Sequence, residues 1–198
     1  MADSSERLFK IFSSPDFLAL KGLANEVPLF IQTYQPREED TTRRMAYALE
    51  SRLKEQGIET VVVDLFTMFL AQLEEEGHLS RIIEREKSLT KVKLIDTLSN
   101  LSDPKTRFIP RLVKSIDTPD VKLALLIGVG RLFPFLRTHN ILENLQPTMV
   151  GHPIVLFFPG EYTQEDGLGS QLRLFGTLTT PLLQRPYYRA FNLEHYRL

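Results

Sequence analysis

Two glycines directly after an apolar run are the first residues whose type and spacing could support chemistry. Gly128 and Gly130 follow the run Lys122–Ile127, which predicts a buried strand. Such a pair lets the backbone turn tightly and approach a neighbouring group, and the N-terminus of a following helix attracts anions. Known phosphate loops differ, because Phe133 replaces the third glycine of G-x-G-x-x-G and no Gly-Lys-Ser/Thr ending follows. The loop therefore indicates either nucleotide or phosphate binding, or a tight structural turn.

A polar stretch after this loop carries side chains that bind anions and carboxylates. Arg137, His139 and Asn144 lie in it. If the stretch is helical, Arg137, Asn140 and Asn144 share one face, because their spacing is three to four residues. Close to the glycine loop, such a face could hold a phosphate or a carboxylate of a partner. The alternative is that Arg137 and His139 bind carbonyl groups of neighbouring loops.

A second apolar run, Pro153–Phe158, is followed by Pro159-Gly160. This dipeptide predicts a turn that ends the strand. Glu161 and Tyr162 come directly after it, at the sheet edge where the glycine loop is expected. Both are therefore candidates for lining a pocket, and a purely structural turn is the alternative.

The C-terminal tail, residues 177–198, interleaves arginine with aromatic side chains. Its candidate binding residues are Arg185, Tyr187, Tyr188 and Arg189. This composition can stack on bases and pair with phosphates, but tyrosine and arginine are also enriched at the centres of protein–protein interfaces. The formal net charge of −1 favours a protein partner, since nucleic-acid affinity rests largely on basic contacts to phosphates.

No combination of residues points to catalysis, and we expect no metal and no cofactor. The histidines His78, His139, His152 and His195 are dispersed, without the H-x-x-x-H spacing of metal ligands. The chain has no cysteine, which excludes disulfides, thiolate metal sites and thiol catalysis. Asp64, at the end of a predicted strand, resembles a magnesium-holding carboxylate, but no P-loop accompanies it. A helix cap is the alternative for Asp64.

These candidates need a scaffold that brings strand ends together. Apolar runs without polar alternation predict buried strands at residues 27–34, 59–66, 122–127 and 153–158. Helical periodicity predicts helices at about 40–56, 67–114 and 133–145. The recurring strand–helix–strand order predicts an α/β fold with an open, mostly parallel sheet of about four to five strands flanked by helices, Rossmann-like but without a P-loop. We expect one domain over residues 1–198, with a helical insertion at about 67–118.

Composition sets the compartment and the kinds of partner. The chain has 198 residues, with 24 basic and 25 acidic side chains. Its longest apolar runs are far shorter than the roughly 20 residues of a membrane span, and no signal peptide is evident. We therefore expect a cytoplasmic protein that does not bind membranes. Residues 1–120 carry a net charge of −3 and residues 121–198 a net charge of +2, so the mildly basic part holds the candidate residues.

Three stretches together resemble the hallmark of one family. They are Leu125–His139, Leu142–Leu145 and Pro153–Tyr162, joined near the N-terminus by Ser14–Leu18, Gly22-Leu23 and Asn25–Pro28. In this order the stretches are similar to the BrxB family of bacteriophage-exclusion (BREX) proteins, formerly a domain of unknown function. The similarity runs over about residues 5–195. Each piece alone is weak, but the combination is specific.

The resemblance implies a role in BREX, a multi-gene defence system that methylates host DNA and blocks replication of unmodified phage. In that family the B component is a small accessory protein with no assigned activity. The recognisable chemistry belongs to other members, among them a methyltransferase, an ATPase and an alkaline-phosphatase-like protein. We expect an assembly subunit whose first partner is the alkaline-phosphatase-like protein. The alternatives are a degenerate nucleotide- or phosphate-binding protein that uses Gly128 and Gly130, and, ranked last, direct binding of DNA.

Overall fold

The structure is a computed structural model that describes most of the chain. The described residues are 2–21, 28–148, 150–165, 169–176, 178–179 and 190–197. The strands are β1 (Leu29–Tyr34), β2 (Thr60–Asp64), β3 (Leu123–Ile127), β4 (Ile154–Glu165), β5 (Gly169–Leu174), β6 (Leu178–Thr179) and β7 (Ala190–Asn192). The α-helices are α1 (Ala2–Phe12), α2 (Pro15–Leu18), α3 (Glu39–Glu55), α4 (Leu65–Glu75), α5 (Leu79–Glu86), α6 (Lys91–Leu101), α7 (Ile109–Ile116) and α8 (Thr138–Leu145).

Five parallel strands form the main sheet, in the order β2-β3-β4-β1-β7. The end of β4 continues into an antiparallel extension with β5 and β6. The predicted α/β class and the mostly parallel sheet are confirmed. The consecutive strands β1 and β2, predicted as one strand–helix–strand unit, are parallel but not neighbours, because β3 and β4 lie between them.

Helices cover both faces of the sheet because the strands are apolar on both sides. In β3, Ala124 and Leu126 pack with α4, α7 and α8 on one face. Leu123, Leu125 and Ile127 pack with α1, α2 and α3 on the other face. The strand has no exposed residue, as expected for a parallel strand between two helical layers. Among the described residues, no helix is long and apolar enough to cross a bilayer.

The helix predicted at about 133–145 begins later than expected. Gly128 is followed by a 3₁₀ turn, Val129–Leu132, and α8 starts only at Thr138. Phe133, which precedes Pro134, is extended with ψ 138°, because a residue before proline disfavours the α conformation. The glycine loop therefore does not lead directly into an α-helix, and the anion-binding helix terminus expected there is not formed.

The turn predicted at Pro159-Gly160 is also wrong, because β4 runs through both residues to Glu165. The Pro159 carbonyl accepts a hydrogen bond from the N–H of Phe175 at 2.8 Å, so proline still contributes to strand pairing. Gly160 has φ 152°, and a Cβ there would lie 2.1 Å from the Arg173 carbonyl oxygen. Glycine thus permits β4 to leave the parallel sheet and pair closely with β5.

Candidate functional site

The carboxyl ends of β1, β2 and β3 are joined by charged side chains. We call this set the edge network: Tyr34, Glu39, Arg43, Asp64 and Arg131. Tyr34 ends β1, Asp64 ends β2, and Arg131 lies in the 3₁₀ turn after β3. Glu39 and Arg43 lie one turn apart at the start of α3. Ligands of open α/β sheets bind beyond these strand ends, so this is where a site is sought.

The Arg131–Asp64 ion pair is the centre of the edge network. The Nη2 atom of Arg131 donates to Oδ2 of Asp64 at 2.5 Å, and Nε of Arg43 lies 3.4 Å from the same oxygen. The Asp64 side chain is only 4% exposed, whereas that of Arg131 is 32% exposed. Oδ1 of Asp64 accepts the N–H of Thr67 at 3.0 Å and so caps α4. The cap inferred for Asp64 from the sequence is confirmed, but the carboxylate also holds two arginines.

Arg131 also connects this pair to β1. Its Nε atom lies 3.7 Å from Oε1 of Glu39, and the Tyr34 hydroxyl donates to Oε2 of Glu39. The guanidinium carbon is 5.3 Å from the centre of the Phe66 ring, a cation–π distance. Two cations and two carboxylates therefore neutralise one another along an edge about 14 Å wide, as three strand spacings require.

The contacts within the edge network, together with burial, shift the pKa values of Asp64 and Tyr34. Burial raises the pKa of Asp64, but the hydrogen bonds from Thr67 and Arg131 and the charges of Arg131 and Arg43 outweigh it, so the pKa lies below its usual value. Burial, followed by the hydrogen bond to Glu39, raises the pKa of Tyr34. Asp64 is therefore ionised and Tyr34 neutral at physiological pH.

The glycine loop is closely surrounded by other side chains. Gly128 has φ 76°, and a Cβ there would lie 2.6 Å from Nη2 of Arg131 and 2.9 Å from Oδ1 of Asp64. A Cβ on Gly130 would lie 2.7 Å from Cγ of Pro159 and 3.2 Å from the Phe175 ring. Both glycines are buried. The two glycines thus let the loop pack against the edge network and against the bend in β4.

A cavity of about 510 Å³ lies beside the edge network, between α1, α3 and the end of β1, and Tyr34 of the network lines it. Gln32, Thr33, Thr42, Met45 and Phe157 are among the residues that line it. None of its described lining residues is a sequence-predicted candidate. Among the described residues, no group of three histidine or acidic side chains is arranged to hold a metal ion.

Comparison with known proteins identifies the family. The family model described as BREX protein BrxB matches residues 61–193, more than half of the chain. A BREX protein BrxB of Bacillus cereus (strain H3081.97) is 33% identical over 199 residues and covers 96% of each chain. A second, from Escherichia coli O9:H4 (strain HS), is 26% identical over 181 residues, covering 89% of this chain and 83% of its own. The chain belongs to the BrxB family. No solved structure matches it.

The fold brings together two parts of the BrxB motif that are distant in sequence. Gly130 and Phe133 come from the first part, Pro159 from the second. Gly130 packs on Pro159, and the rings of Phe133 and Phe175 meet edge to face with centroids 6.5 Å apart. This part of the BrxB resemblance therefore corresponds to one packed junction between β3 and β4.

The polar stretch from Arg137 to Asn144 forms only part of the predicted cluster. Arg137 is exposed, at the N-cap position of α8, and makes no side-chain hydrogen bond or ion pair with another described residue. The Asn144 amide donates to the carbonyl of Asn140 at 2.8 Å. His139 is half-buried, and burial lowers its pKa, with a further lowering by Arg137 and an opposing effect of Glu143. Of these side chains, Arg137 is the one open to a partner.

The remaining candidates have separate environments. Glu161 is exposed and lies 3.8 Å from Arg173 across the β4–β5 pair. Tyr162 is buried, and its hydroxyl donates to the Ala190 carbonyl at 2.7 Å. This bond ties β4 to β7, so the Tyr162 side chain does not line an open pocket. The tail candidates Arg185, Tyr187, Tyr188 and Arg189 lie outside the described residues.

Sequence reasoning missed most of the edge network. Arg131 was part of the quoted motif, but its partner Asp64 lies 67 residues away, and no local spacing reveals that pairing. Tyr34, Glu39 and Arg43 gave no signal other than their position around the first strand end. A search for charged residues just after each predicted strand would have found Asp64 and Arg131 together.

Proposed function

We propose that this BrxB-family chain is a non-catalytic accessory subunit of a BREX phage-defence system that binds another component of the system, first the alkaline-phosphatase-like protein. Membership of the BrxB family supports the role in BREX. The observation that carries the non-catalytic part of this proposal is the edge network. In it, the place where an α/β sheet usually receives a ligand is filled by an ion pair of the chain itself.

The internal pairing also weighs against the alternative role, nucleotide or phosphate binding. A phosphate at the Gly128–Gly130 loop would have to displace the buried Asp64 carboxylate from Arg131, and removing a partner from a buried charge is costly. A ligand at 100 times its Kd stabilises the folded state by about 2.7 kcal/mol. Such a stabilisation would raise the melting temperature. We expect no rise with any nucleotide and magnesium at millimolar concentration. A shift would favour the alternative.

Arg137 provides a direct test of the binding role. Its guanidinium is exposed and unpaired among the described residues, so Arg137→Ala should leave the melting temperature unchanged. The variant should lose phage protection and weaken co-elution with the alkaline-phosphatase-like protein after co-expression and size exclusion. Lys105→Ala, at another exposed position, is the matched control and should keep both properties.

Two results would contradict the proposal. If the wild-type protein elutes apart from every other BREX component, the proposed binding role is wrong. A marked fall in the melting temperature of Arg137→Ala would instead show that Arg137 is structural, and the recognition role of that residue would be withdrawn. Replacing the four tail candidates Arg185, Tyr187, Tyr188 and Arg189 by alanine tests in the same assay whether the tail contributes.

A further inference from the structure

A groove between α5 and α6 has features that the edge network lacks. This hairpin groove has a volume of about 440 Å³. Neither helix contains a fully buried side chain, although both belong to the helical segment between β2 and β3. The apolar part of the groove lining consists of Ile82, Leu89 and Leu101. A pair of helices that buries so little of its own surface is available for contact with another molecule.

The charges in the hairpin groove are unpaired and mostly positive. Arg81, Arg85 and Lys93 line it together with one carboxylate, Asp96, and none of the four forms an ion pair with another described residue. Arg81 and Arg85 are four residues apart on α5, so they project from the same face. The nearby Arg111 is bound to Glu75 at 2.6 Å. The carboxylate of Glu75 is thus paired with Arg111 and forms no ion pair with the described cations of the groove.

Two further aliphatic side chains of the same helices are exposed but do not line the groove. Ile83 is 60% exposed and Val92 is 68% exposed, more than any other large hydrophobic side chain among the described residues. Single exposed aliphatic residues are common on protein surfaces. Ile83 is two residues from both Arg81 and Arg85, so it faces away from them. The binding surface is therefore the groove lining alone, which combines three aliphatic side chains with three cations and one carboxylate.

We propose that the hairpin groove binds an acidic, amphipathic helical segment of another BREX protein. The proposal rests on the function proposed above and names the surface and the chemistry of the partner. Carboxylates of the segment pair with Arg81, Arg85 and Lys93, and its aliphatic side chains contact Ile82 and Leu89. The eight residues of α5 span about 12 Å, which accommodates roughly two turns of a docked helix, a known mode of peptide recognition.

A protein segment fits this groove better than nucleic acid does. A DNA-binding surface gains its affinity from many basic contacts to phosphates, whereas this groove offers three cations, one carboxylate and an apolar lining. The apolar side chains Ile82, Leu89 and Leu101 find no counterpart on a phosphate backbone, whereas they suit the apolar face of a protein helix.

Charge reversal tests the proposal on the full chain. We expect the triple variant Arg81→Glu, Arg85→Glu and Lys93→Glu to bind its BREX partner roughly 100-fold more weakly, because three attractive contacts become repulsive. The variant should keep the wild-type melting temperature, since none of the three side chains forms an ion pair with another described residue. The control is Lys10→Glu, Lys105→Glu and Lys122→Glu, which makes the same change in net charge at exposed positions outside the groove and should retain binding.

The outcomes separate this proposal from the proposed function. If the groove variant binds the partner as wild type does, the groove proposal is wrong and the accessory role stands. If wild type binds no BREX component, both are wrong. A labelled DNA duplex is titrated in parallel: binding that the groove variant loses and the control keeps would make the groove a nucleic-acid site and overturn the proposal. Loss of partner binding in the groove variant alone supports it.

Discussion

The edge network and the hairpin groove use the same kinds of side chain in opposite ways. In the edge network, Arg131 is two-thirds buried and bound to a carboxylate that is only 4% exposed. In the hairpin groove, Arg81 and Arg85 are exposed and have no ion-pair partner among the described residues. Arginine is suited to both roles, because its planar guanidinium binds carboxylates with defined geometry. What distinguishes the two regions is whether the carboxylate belongs to the chain itself.

Because of this difference, we expect the edge network to contribute to stability and the hairpin groove to contribute to recognition. An ion pair whose partners are buried cannot be broken without leaving a charge in a poorly solvated place. An exposed cation without a partner contributes little to stability, so it can be changed freely and its loss affects only what binds to it. The near-zero net charge of the whole chain therefore hides one region that is neutral by internal pairing and one that is positive and open.

Replacing Arg131 should give the largest effect on stability. Arg131→Met removes the main partner of Asp64 and leaves only Arg43 beside that carboxylate. Because Arg131 is itself partly exposed, we expect a loss of about 2–3 kcal/mol, which for a chain of this size lowers the melting temperature by roughly 5–10 °C. Arg81→Met is the matched control in the hairpin groove and should leave the melting temperature within about 1 °C. Equal losses of melting temperature in the two variants would contradict the proposed difference between the two regions.

Most of the scaffold could be predicted because buried parallel strands appear in the sequence as continuous apolar runs. Leu123–Ile127 is such a run, and its strand has the predicted bounds within one residue. The errors arose where local signals compete with tertiary pairing. The dipeptide Pro159-Gly160 is typical of a turn, yet pairing of Gly160 with Leu174 of β5 keeps the dipeptide within β4. The start of α8 was placed too early because the apolar pattern around Phe133 continues across a proline.

The candidate site was less predictable, for a physical reason. Gly128 was identified because a glycine after a strand is a local signal, but what requires glycine there is the side chains of Arg131 and Asp64. Their pairing depends on strand order, and β2 becomes the neighbour of β3 only in the folded sheet. A run of charged residues such as Glu84–Lys87 most simply predicts a solvated helix face, and these side chains are exposed. Sequence alone does not show that Arg85 among them lines a groove.

Two glycines with nearly the same positive φ provide a second test of the edge network. Gly128 has φ 76° and Gly57 has φ 74°, but a Cβ meets nothing within 4 Å at Gly57. Both substitutions by alanine incur the cost of a left-handed backbone, about 1 kcal/mol or more. Gly128→Ala must also push Arg131 away from Asp64. We expect it to be less stable than Gly57→Ala by a further ~1–2 kcal/mol in urea unfolding, and equal losses would show that the ion pair is not held closely against Gly128.

Acid should weaken the edge network before it affects the hairpin groove. The pKa of Asp64 is lowered in the folded state, since the Thr67 and Arg131 hydrogen bonds and the arginine charges outweigh the effect of burial. Its contribution to stability is therefore fully present above its ordinary pKa of 3.8 and is lost as the pH falls through the lower folded value. The difference in stability between wild type and Asp64→Asn should stay constant from pH 6 to about pH 4.5 and shrink as the pH falls further to about pH 3, as measured by urea unfolding.

The control for this pH dependence is a carboxylate in an exposed ion pair. Glu75 is bound to Arg111 at the surface, and its pKa is lowered mainly by that hydrogen bond. Because solvent screens such a pair, Glu75→Gln should change stability much less than Asp64→Asn at neutral pH. A difference between wild type and Asp64→Asn that stays constant down to pH 3 would contradict a buried, ion-paired Asp64.

His139 should give the smallest effect, and it tests how burial changes the pKa of a histidine that has Glu143 nearby. Burial lowers the pKa of His139 in the folded state, so the unfolded chain binds the proton more tightly. Stability should then fall as the pH decreases from about 7 through the folded pKa, and remain flat above pH 7. His139→Gln should remove this slope, whereas His195→Gln, at an exposed position, should keep it. A slope that survives His139→Gln would mean that the pH dependence near neutrality comes from elsewhere, and that burial at His139 leaves its proton affinity unchanged.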